Sequence, residues 1–340
     1  DEKAVADFQA AADTWALPVG VSFRRQMLFD HCHPNYAGDV GIGINPRLAA
    51  YIKESDLVLL VGGRFGEMPS SDYTLLKSPY PDQPLVHVHA DASELGRVYK
   101  PTLAINASAA AFAAAFARLK PASAPVWGAA TETLHRNYLE WSTPPETGPG
   151  AVHMGPIMNY LEKTLPEDAI ITNGAGNYAT WIHRFHRFRR FGTQAAPTSG
   201  SMGFGTPAAV AAKGLFPDRM VIAFAGDGCF LMNGQEFATA IRYSLPIIVI
   251  VVNNGIYGTI RMHQEREYPG RVSGTGLTNP DFAALARAYG GHGETVEKTE
   301  DFAPAFERAL KSGKPAIIEI RLDPEAITPT RTLTDIRGGR

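Results

Sequence analysis

Met220-Val221-Ile222-Ala223-Phe224-Ala225-Gly226-Asp227-Gly228 and, further on, Pro246-Ile247-Ile248-Val249-Ile250-Val251-Val252-Asn253-Asn254 are the two stretches that decide the fold. Each is an apolar run suited to a strand buried on both faces of a parallel sheet, and each stops at a polar signature. Residues Phe230 to Ser244 between them are long enough for a crossover helix. A right-handed strand–helix–strand crossover returns the second strand parallel to the first, so Asp227 and Asn254 both fall at carboxyl ends of strands, where open α/β sheets bind ligands. The residue types there suit one chemistry. Glycines let a diphosphate approach the main chain, the helix starting after Gly228 offers it unpaired N–H groups, and a carboxylate with an amide oxygen suits a hard divalent cation.

Composition narrows the classes further. The 340 residues, 45% hydrophobic and 19% charged, suit about two globular domains. A formal net charge of −2 gives no basic excess for nucleic acid or an anionic membrane, and the apolar run from Ile247 to Val252 is far shorter than the roughly 20 residues that span a bilayer. The basic and aromatic run Arg184-Phe185-His186-Arg187-Phe188-Arg189-Arg190-Phe191 reads as a helix end packed on a sheet, because Phe185 and Phe188 lie three apart on one face. Cys32 and Cys229 fall in different blocks, so we expect no disulfide and a cytoplasmic setting. No signal peptide is visible, and Asp1 rather than methionine stands first, from which we expect that the true amino terminus has been lost.

The chain organises into two doubly wound α/β domains with parallel sheets. The first, residues 1–120, has strands at Asp56 to Gly63 and Leu85 to His89, with helices at Val5–Trp15, Pro46–Glu54 and Ala107–Leu119. Proline and glycine clusters over 121–150 mark a linker around a short helical piece at Thr131–Trp141. The second, residues 151–327, has strands at 169–172, 220–225, 246–252 and 316–320 alternating with helices, and residues 328–340 form a C-terminal tail.

Gly226-Asp227-Gly228 followed by Asn253-Asn254, with residues 229–252 between them, resembles the signature of the thiamine-diphosphate enzymes of the acetolactate synthase, benzoylformate decarboxylase and pyruvate oxidase superfamily. The likeness covers the whole chain. His33-Pro34-Asn35-Tyr36-Ala37-Gly38 and Val61-Gly62-Gly63-Arg64-Phe65 resemble runs of that family's central domain, and residues 151–327 resemble its diphosphate- and Mg²⁺-binding domain.

The resemblance implies thiamine diphosphate and Mg²⁺ as cofactors and assigns positions to them. Ala175, Gly176, Asn177 and Tyr178, in a glycine turn between a strand and a helix, would contact the diphosphate. Gly200 would offer its carbonyl to the pyrimidine amino group, and Met202 would force the cofactor into its bent shape. Asp227 and Asn254 would ligate the metal through side-chain oxygens and Ile256 through its main-chain carbonyl, with Gly228 and Cys229 near the phosphates. Tyr257 and Thr259 would face the cofactor and substrate side. His263 stands where acetolactate synthases carry a tryptophan; it is either a proton donor to a bound species or a solvated histidine in the charged run 261–267.

The implied activity is decarboxylation of a 2-oxo acid, with or without carboligation, in a homodimer or homotetramer. Gly66-Glu67-Met68 and Asn106-Ala107-Ser108 depart from the flavin-contacting pattern of the family, so FAD is not expected. The family's activating glutamate sits on a separate pyrimidine-binding domain with no counterpart in these residues, and the central domain lacks its first strand. We therefore expect the chain to be a remnant of a longer polypeptide, inactive alone and dependent on a pyrimidine-binding domain as partner. A non-catalytic cofactor-binding or regulatory subunit is the alternative.

Overall fold

The structure, a computed structural model, describes residues 1–339. It is α/β with parallel sheets and divides into two compact units, Asp1–Ser142 with Arg187–Phe191, and Thr143–His186 with the chain from Gly192 onward.

In the first unit helix α1 (Glu2–Thr14) leads into strands β1 (Val19–Ser22) and β2 (Tyr36–Val40). Helix α2 (Pro46–Glu54) then leads to β3 (Val58–Val61), β4 (Leu85–His89) and β5 (Leu103–Asn106), and helices α3 (Ala109–Phe116) and α4 (Gly128–Trp141) close the unit. The strands form two separate parallel sheets, β1-β2 and β3-β4-β5. Local chemistry sets the helix starts. Asn45 caps α2 by accepting from the Arg47 amide, with Pro46 at the first helical position, and Ser108 caps α3 through the Ala111 amide.

Residues 121–150, expected as a linker, contain a full helix belonging to this unit. Leu134 of α4 packs with Ala37 and Leu48, and Tyr138, four residues on, joins the cluster of Val19, Phe29 and Tyr36. The Trp127 indole donates to the Trp15 carbonyl at 2.8 Å and the Thr131 hydroxyl to the Ala16 carbonyl at 2.7 Å. An apolar stripe at helical spacing outweighed the flanking prolines.

The second unit carries one six-stranded sheet, entirely parallel. Helix α5 (Met154–Thr164) precedes β6 (Ile170–Asn173), which is followed by α6 (Ala179–Phe185), β7 (Gln194–Ala195), α7 (Gly205–Leu215) and β8 (Val221–Gly226). Helices α8 (Asp227–Asn233) and α9 (Phe237–Arg242) connect to β9 (Ile248–Asn253). Next come α10 (Gly258–Glu267), α11 (Phe282–Ala288), β10 (His292–Val296), α12 (Phe302–Ser312), β11 (Ala316–Arg321) and α13 (Leu333–Arg337). The spatial order β10-β11-β9-β8-β6-β7 means that the chain leaves β6 for one edge and returns on β6's other side as β8. That reversal opens a crevice at the carboxyl ends of β6 and β8.

Val221 to Ala225 and Ile248 to Val252 are buried throughout, as strands in the middle of a parallel sheet must be. Phe230, Phe237 and Phe282 cover one face beside Val249 and Val251. The expected crossover helix 230–244 is instead two short helices with a 3₁₀ turn at Gly234–Glu236 between them. A Cβ at Gly234 would lie 2.5 Å from the Phe230 ring, so the break follows from how closely the chain approaches that side chain.

Residues beyond 327, expected as a tail, fold back as α13. Thr332 and Asp335 form a capping box, and Leu333 and Ile336 pack on Ile327 beside Ile256 and Met262. Arg337 clamps the buried Glu265 of α10 with two hydrogen bonds of 2.8 and 3.0 Å, and Arg261 adds a third at 2.9 Å. Arg337, the Gly270 amide and Arg261 hold the Glu265 carboxyl down to about 2, against the upward pull of burial. A carboxyl depressed in the folded state stabilises fully above its ordinary value of 4.5 and loses that contribution as pH falls toward about 2. NMR signals of α13 amides are therefore expected to hold their docked positions from pH 7 to about pH 5 and to shift only on further acidification. At pH 7, Glu265→Ala should speed tryptic cutting after Arg331 on the order of tenfold, since the helix then undocks by local opening.

Candidate functional site

The crevice is an open cleft of about 600 Å³, floored by the ends of β6, β8 and β9. Three glycine-bearing turns build it. After β6, Gly174 passes so close to α8 that a Cβ there would sit 2.4 Å from the Cys229 sulfur. After β8, a Cβ on Gly226 would strike the Tyr178 ring at 2.9 Å, and one on Gly228 would strike the Tyr257 ring at 2.5 Å. After β9, Gly255 turns the chain with φ +69°, a left-handed conformation that favours glycine.

Cys229 ties two of these turns together. Its sulfur accepts from the Tyr178 hydroxyl at 3.2 Å and from the Gly203 amide at 3.1 Å, and the same hydroxyl accepts from the Gly174 amide at 3.0 Å. This thiol is a buried structural acceptor, and the position of Gly203 next to Met202 depends on it.

Asp227 is 3% exposed and makes three hydrogen bonds. Its Oδ1 accepts from the Gly228 amide at 2.8 Å, while Oδ2 accepts from the Gly255 amide and from Asn279 Nδ2, both at 2.8 Å. Burial pushes this carboxyl above the usual range, and the donors from Gly228, Asn279 and Gly255 pull it back. A carboxylate offers about four lone-pair sites, so about one remains, on Oδ1, for a further partner. The Asn254 side chain, whose Oδ1 accepts weakly from the Ile256 amide at 3.3 Å, also lines the cleft, as does Ile256.

These residues suit a metal-bridged diphosphate. Among the described residues no lysine, arginine or histidine lines the cleft, and the one charged side chain lining it is the acidic Asp227. A diphosphate beside Asp227 needs a cation to balance both charges. Among the described residues no group of three His, Cys, Asp or Glu side chains could hold a metal alone. Asp227, Asn254 and Ile256 line the same cleft, and the two side-chain oxygens with a main-chain carbonyl are donors of the type a hard cation such as Mg²⁺ accepts.

The structure brings together Ala175, Gly176, Asn177, Tyr178, Met202, Asp227, Gly228, Cys229, Asn254, Ile256, Tyr257 and Thr259. Two expected residues fall outside. Gly200, with φ +75°, is exposed on a loop away from the lining, and a Cβ there would meet nothing within 4 Å. His263 is exposed in the second turn of α10; the cleft takes the first turn, Gly258 to Ile260, and the helix then commits Met262 and Glu265 to packing. The exposure of His263 fits the alternative of a solvated histidine in the charged run 261–267.

Other lining residues escaped sequence reasoning. Trp181 stands on α6, and Leu322, Ala326 and Ile327 arrive from beyond β11. Asn177 is the link to that last segment: its Nδ2 donates to the Ile327 carbonyl at 3.1 Å, and its Oδ1 accepts from the Thr259 hydroxyl at 2.8 Å. No local pattern announces a wall contributed 150 residues away.

Comparison with known proteins agrees with this geometry. The thiamine pyrophosphate enzyme C-terminal TPP-binding domain matches residues 174–320, and the central domain of the same enzymes matches residues 1–116. The acetolactate synthase large subunit of Parasynechococcus marenigrum is 30% identical over 317 residues, covering 92% of this chain and 50% of that protein. The sulfoacetaldehyde acetyltransferase of Alcaligenes xylosoxydans xylosoxydans is 28% identical, covering 96% of this chain and 60% of its own length. The acetolactate synthase large subunit of Corynebacterium glutamicum is 29% identical, covering 94% and 52%. The chain thus spans between half and three fifths of the length of these relatives.

The thiols provide a direct check on the glycine turns. Cys32 is exposed and Cys229 buried. An aromatic disulfide reagent should titrate Cys32 within minutes in the native protein, with Cys229 reacting only after denaturation. Gly174→Ala, which pushes a methyl group into the sulfur, should bring Cys229 into the fast phase and lower stability by about 1–3 kcal/mol in urea titrations.

Proposed function

This chain belongs to the thiamine pyrophosphate enzyme family, and from that premise we propose that it forms the diphosphate- and Mg²⁺-holding half of a 2-oxo acid decarboxylase or carboligase of the acetolactate synthase type. One observation carries the proposal. The cleft at the β6/β8 reversal is lined by backbone turns and hydroxyls, and its sole charged side chain is a buried carboxylate next to Asn254. That combination favours an anionic ligand only when a divalent cation accompanies it.

Thiamine diphosphate, when bound, supplies the electron sink for breaking a bond next to a carbonyl. The chain's own residues supply placement. Asp227 and Asn254 hold the cation, and the turns at 174–178 and 226–228 keep side chains out of the phosphate path. Met202, next to the Gly203–Cys229 contact, lines the cleft, while Tyr257, Ile260 and Ile327 give a largely apolar wall on the substrate side.

Among the described residues no histidine or glutamate lines the cleft. Asp227, already held by three donors, faces the cation side, so proton transfer on the cofactor calls for a carboxylate from a pyrimidine-binding domain outside these residues. Leu231, Met232 and Ile260, between 45 and 52% exposed, give an apolar margin suited to such a partner or to a second subunit in a homodimer or homotetramer. The reduced thiols fit a cytoplasmic enzyme.

Trp181 in the cleft wall makes binding measurable. Thiamine diphosphate with Mg²⁺ should change the tryptophan emission saturably, and a chelator should reverse the change. Asp227→Ala should weaken binding on the order of 100-fold, about 2.7 kcal/mol. Emission that stays constant at millimolar cofactor and Mg²⁺ would rule the site out. With a pyrimidine-binding domain present, product analysis over a panel of 2-oxo acids distinguishes decarboxylation from carboligation, and absence of any turnover in a cofactor-loaded protein would favour a regulatory subunit.

A further inference from the structure

The Asp227 carboxylate is oriented by a residue that belongs to no part of the signature. Asn279 lies in the loop leading to α11, and its side-chain nitrogen uses both hydrogens. One goes to Asp227 Oδ2 and the other to Asn253 Oδ1, each at 2.8 Å. Asn253 in turn donates through Nδ2 to Glu319 Oε1 at 2.7 Å. Glu319 is 1% exposed, stands on β11 in register with Val251, and has the Arg321 guanidinium 3.6 Å away. A hydrogen-bonded chain thus runs from the cleft through Asn279 and Asn253 to a buried carboxylate two strands from β8.

The arrangement is oriented by donors. Turned over, the Asn279 amide would point its oxygen at two acceptor oxygens and repel both. In the orientation present, its Oδ1 and Glu319 Oε2 are buried with no hydrogen-bond partner among the described residues. Each such orphaned atom opposes folding. A structure that carries both to preserve the donors has an amide placed for what it donates to. Its loop is held against the β9 turn independently, through Tyr257 N to Thr275 O at 2.9 Å and Leu277 N to Gly255 O at 2.8 Å, so Asn279 is not needed to dock the loop.

We propose that Asn279 is a positioning residue for the cation site. By occupying Asp227 Oδ2 together with the Gly255 amide, it leaves Oδ1 as the oxygen that meets the metal, and it thereby restricts Asp227 to single-oxygen ligation. The proposal rests on the cation-bridged diphosphate site described above. It has a consequence for ion selection. Mg²⁺ requires near-ideal octahedral geometry at 2.0–2.1 Å, whereas Ca²⁺ accepts looser sites and two-oxygen carboxylate ligation. A carboxylate released to rotate penalises Mg²⁺ more than Ca²⁺.

The test is titration of the purified chain, in a fixed excess of thiamine diphosphate, with Mg²⁺ and separately with Ca²⁺, following tryptophan emission and calorimetric heat. In Asn279→Ala the Mg²⁺ affinity should fall roughly 10- to 100-fold, as expected when a group orienting a metal ligand is removed. The Ca²⁺ affinity should fall several-fold less, lowering the Mg²⁺ to Ca²⁺ preference. Asn279→Ser, which keeps one donor and little volume, should lie between wild type and Asn279→Ala, and it carries the test if the alanine variant does not fold. Equal losses for both ions, or an unchanged Mg²⁺ affinity in a folded variant, would overturn the proposal while leaving the site intact. Wild-type protein that binds neither ion would overturn the site and the proposal together.

Discussion

A buried carboxylate at the end of a central parallel strand sets the terms for the second unit. Asp227 sits at the carboxyl end of β8 with 3% of its surface exposed, and a charge so placed is costly unless donors surround it. The Gly228 amide, the Gly255 amide and Asn279 provide them, each at 2.8 Å. Because these donors come from α8, from the turn after β9 and from the loop before α11, satisfying one side chain brings three connections to the same corner of the sheet. The register of β8 against β9, Gly226 opposite Val252, makes the meeting possible.

Close backbone approach does the rest. Gly174, Gly226 and Gly228 each lie where a methyl group would collide with Cys229, Tyr178 or Tyr257. Their missing side chains let the turns after β6 and β8 close onto one another, and the Cys229 sulfur, accepting from Tyr178 and Gly203, locks the contact. The cleft is therefore rigid where a diphosphate would lie. Its far wall, from Leu322 to Ile327, is kept in place by α13, which the Glu265 clamp holds down. The wall built by the glycine turns thus rests on short-range backbone packing, while the wall from Leu322 to Ile327 rests on the salt-bridged helix α13.

Much of this was legible in the residues. The apolar runs ending at Asp227 and Asn253-Asn254 marked the central strands, and the expected helix Pro46–Glu54 is reproduced residue for residue. Strands β1, β2, β5, β7 and β10 were missed. They are short, interrupted by glycine or polar residues, and held by pairing with neighbours distant in sequence, so no periodicity identifies them. Helix α4 was expected as a short helical piece at Thr131–Trp141 inside a linker, and the structure extends it to Gly128 and packs its Leu134 and Tyr138 into the first unit. Gly200 and His263 are exposed and outside the cleft lining, and for His263 that exposure fits the solvated alternative that the charged run 261–267 had offered.

By itself the sequence determined the α/β class, the family and the pairing of an acidic glycine turn with an asparagine turn at two strand ends, because local composition and a fixed spacing suffice for those. The tertiary structure decided which atoms meet. That Asn279 orients Asp227, that Ile327 walls the cleft and that Cys229 is a tied acceptor are consequences of sheet order and register, which bring together residues separated by 52, 150 and 51 positions. Hydrogen bonds of that range carry no local signature, and the same residues in another strand order would lie apart.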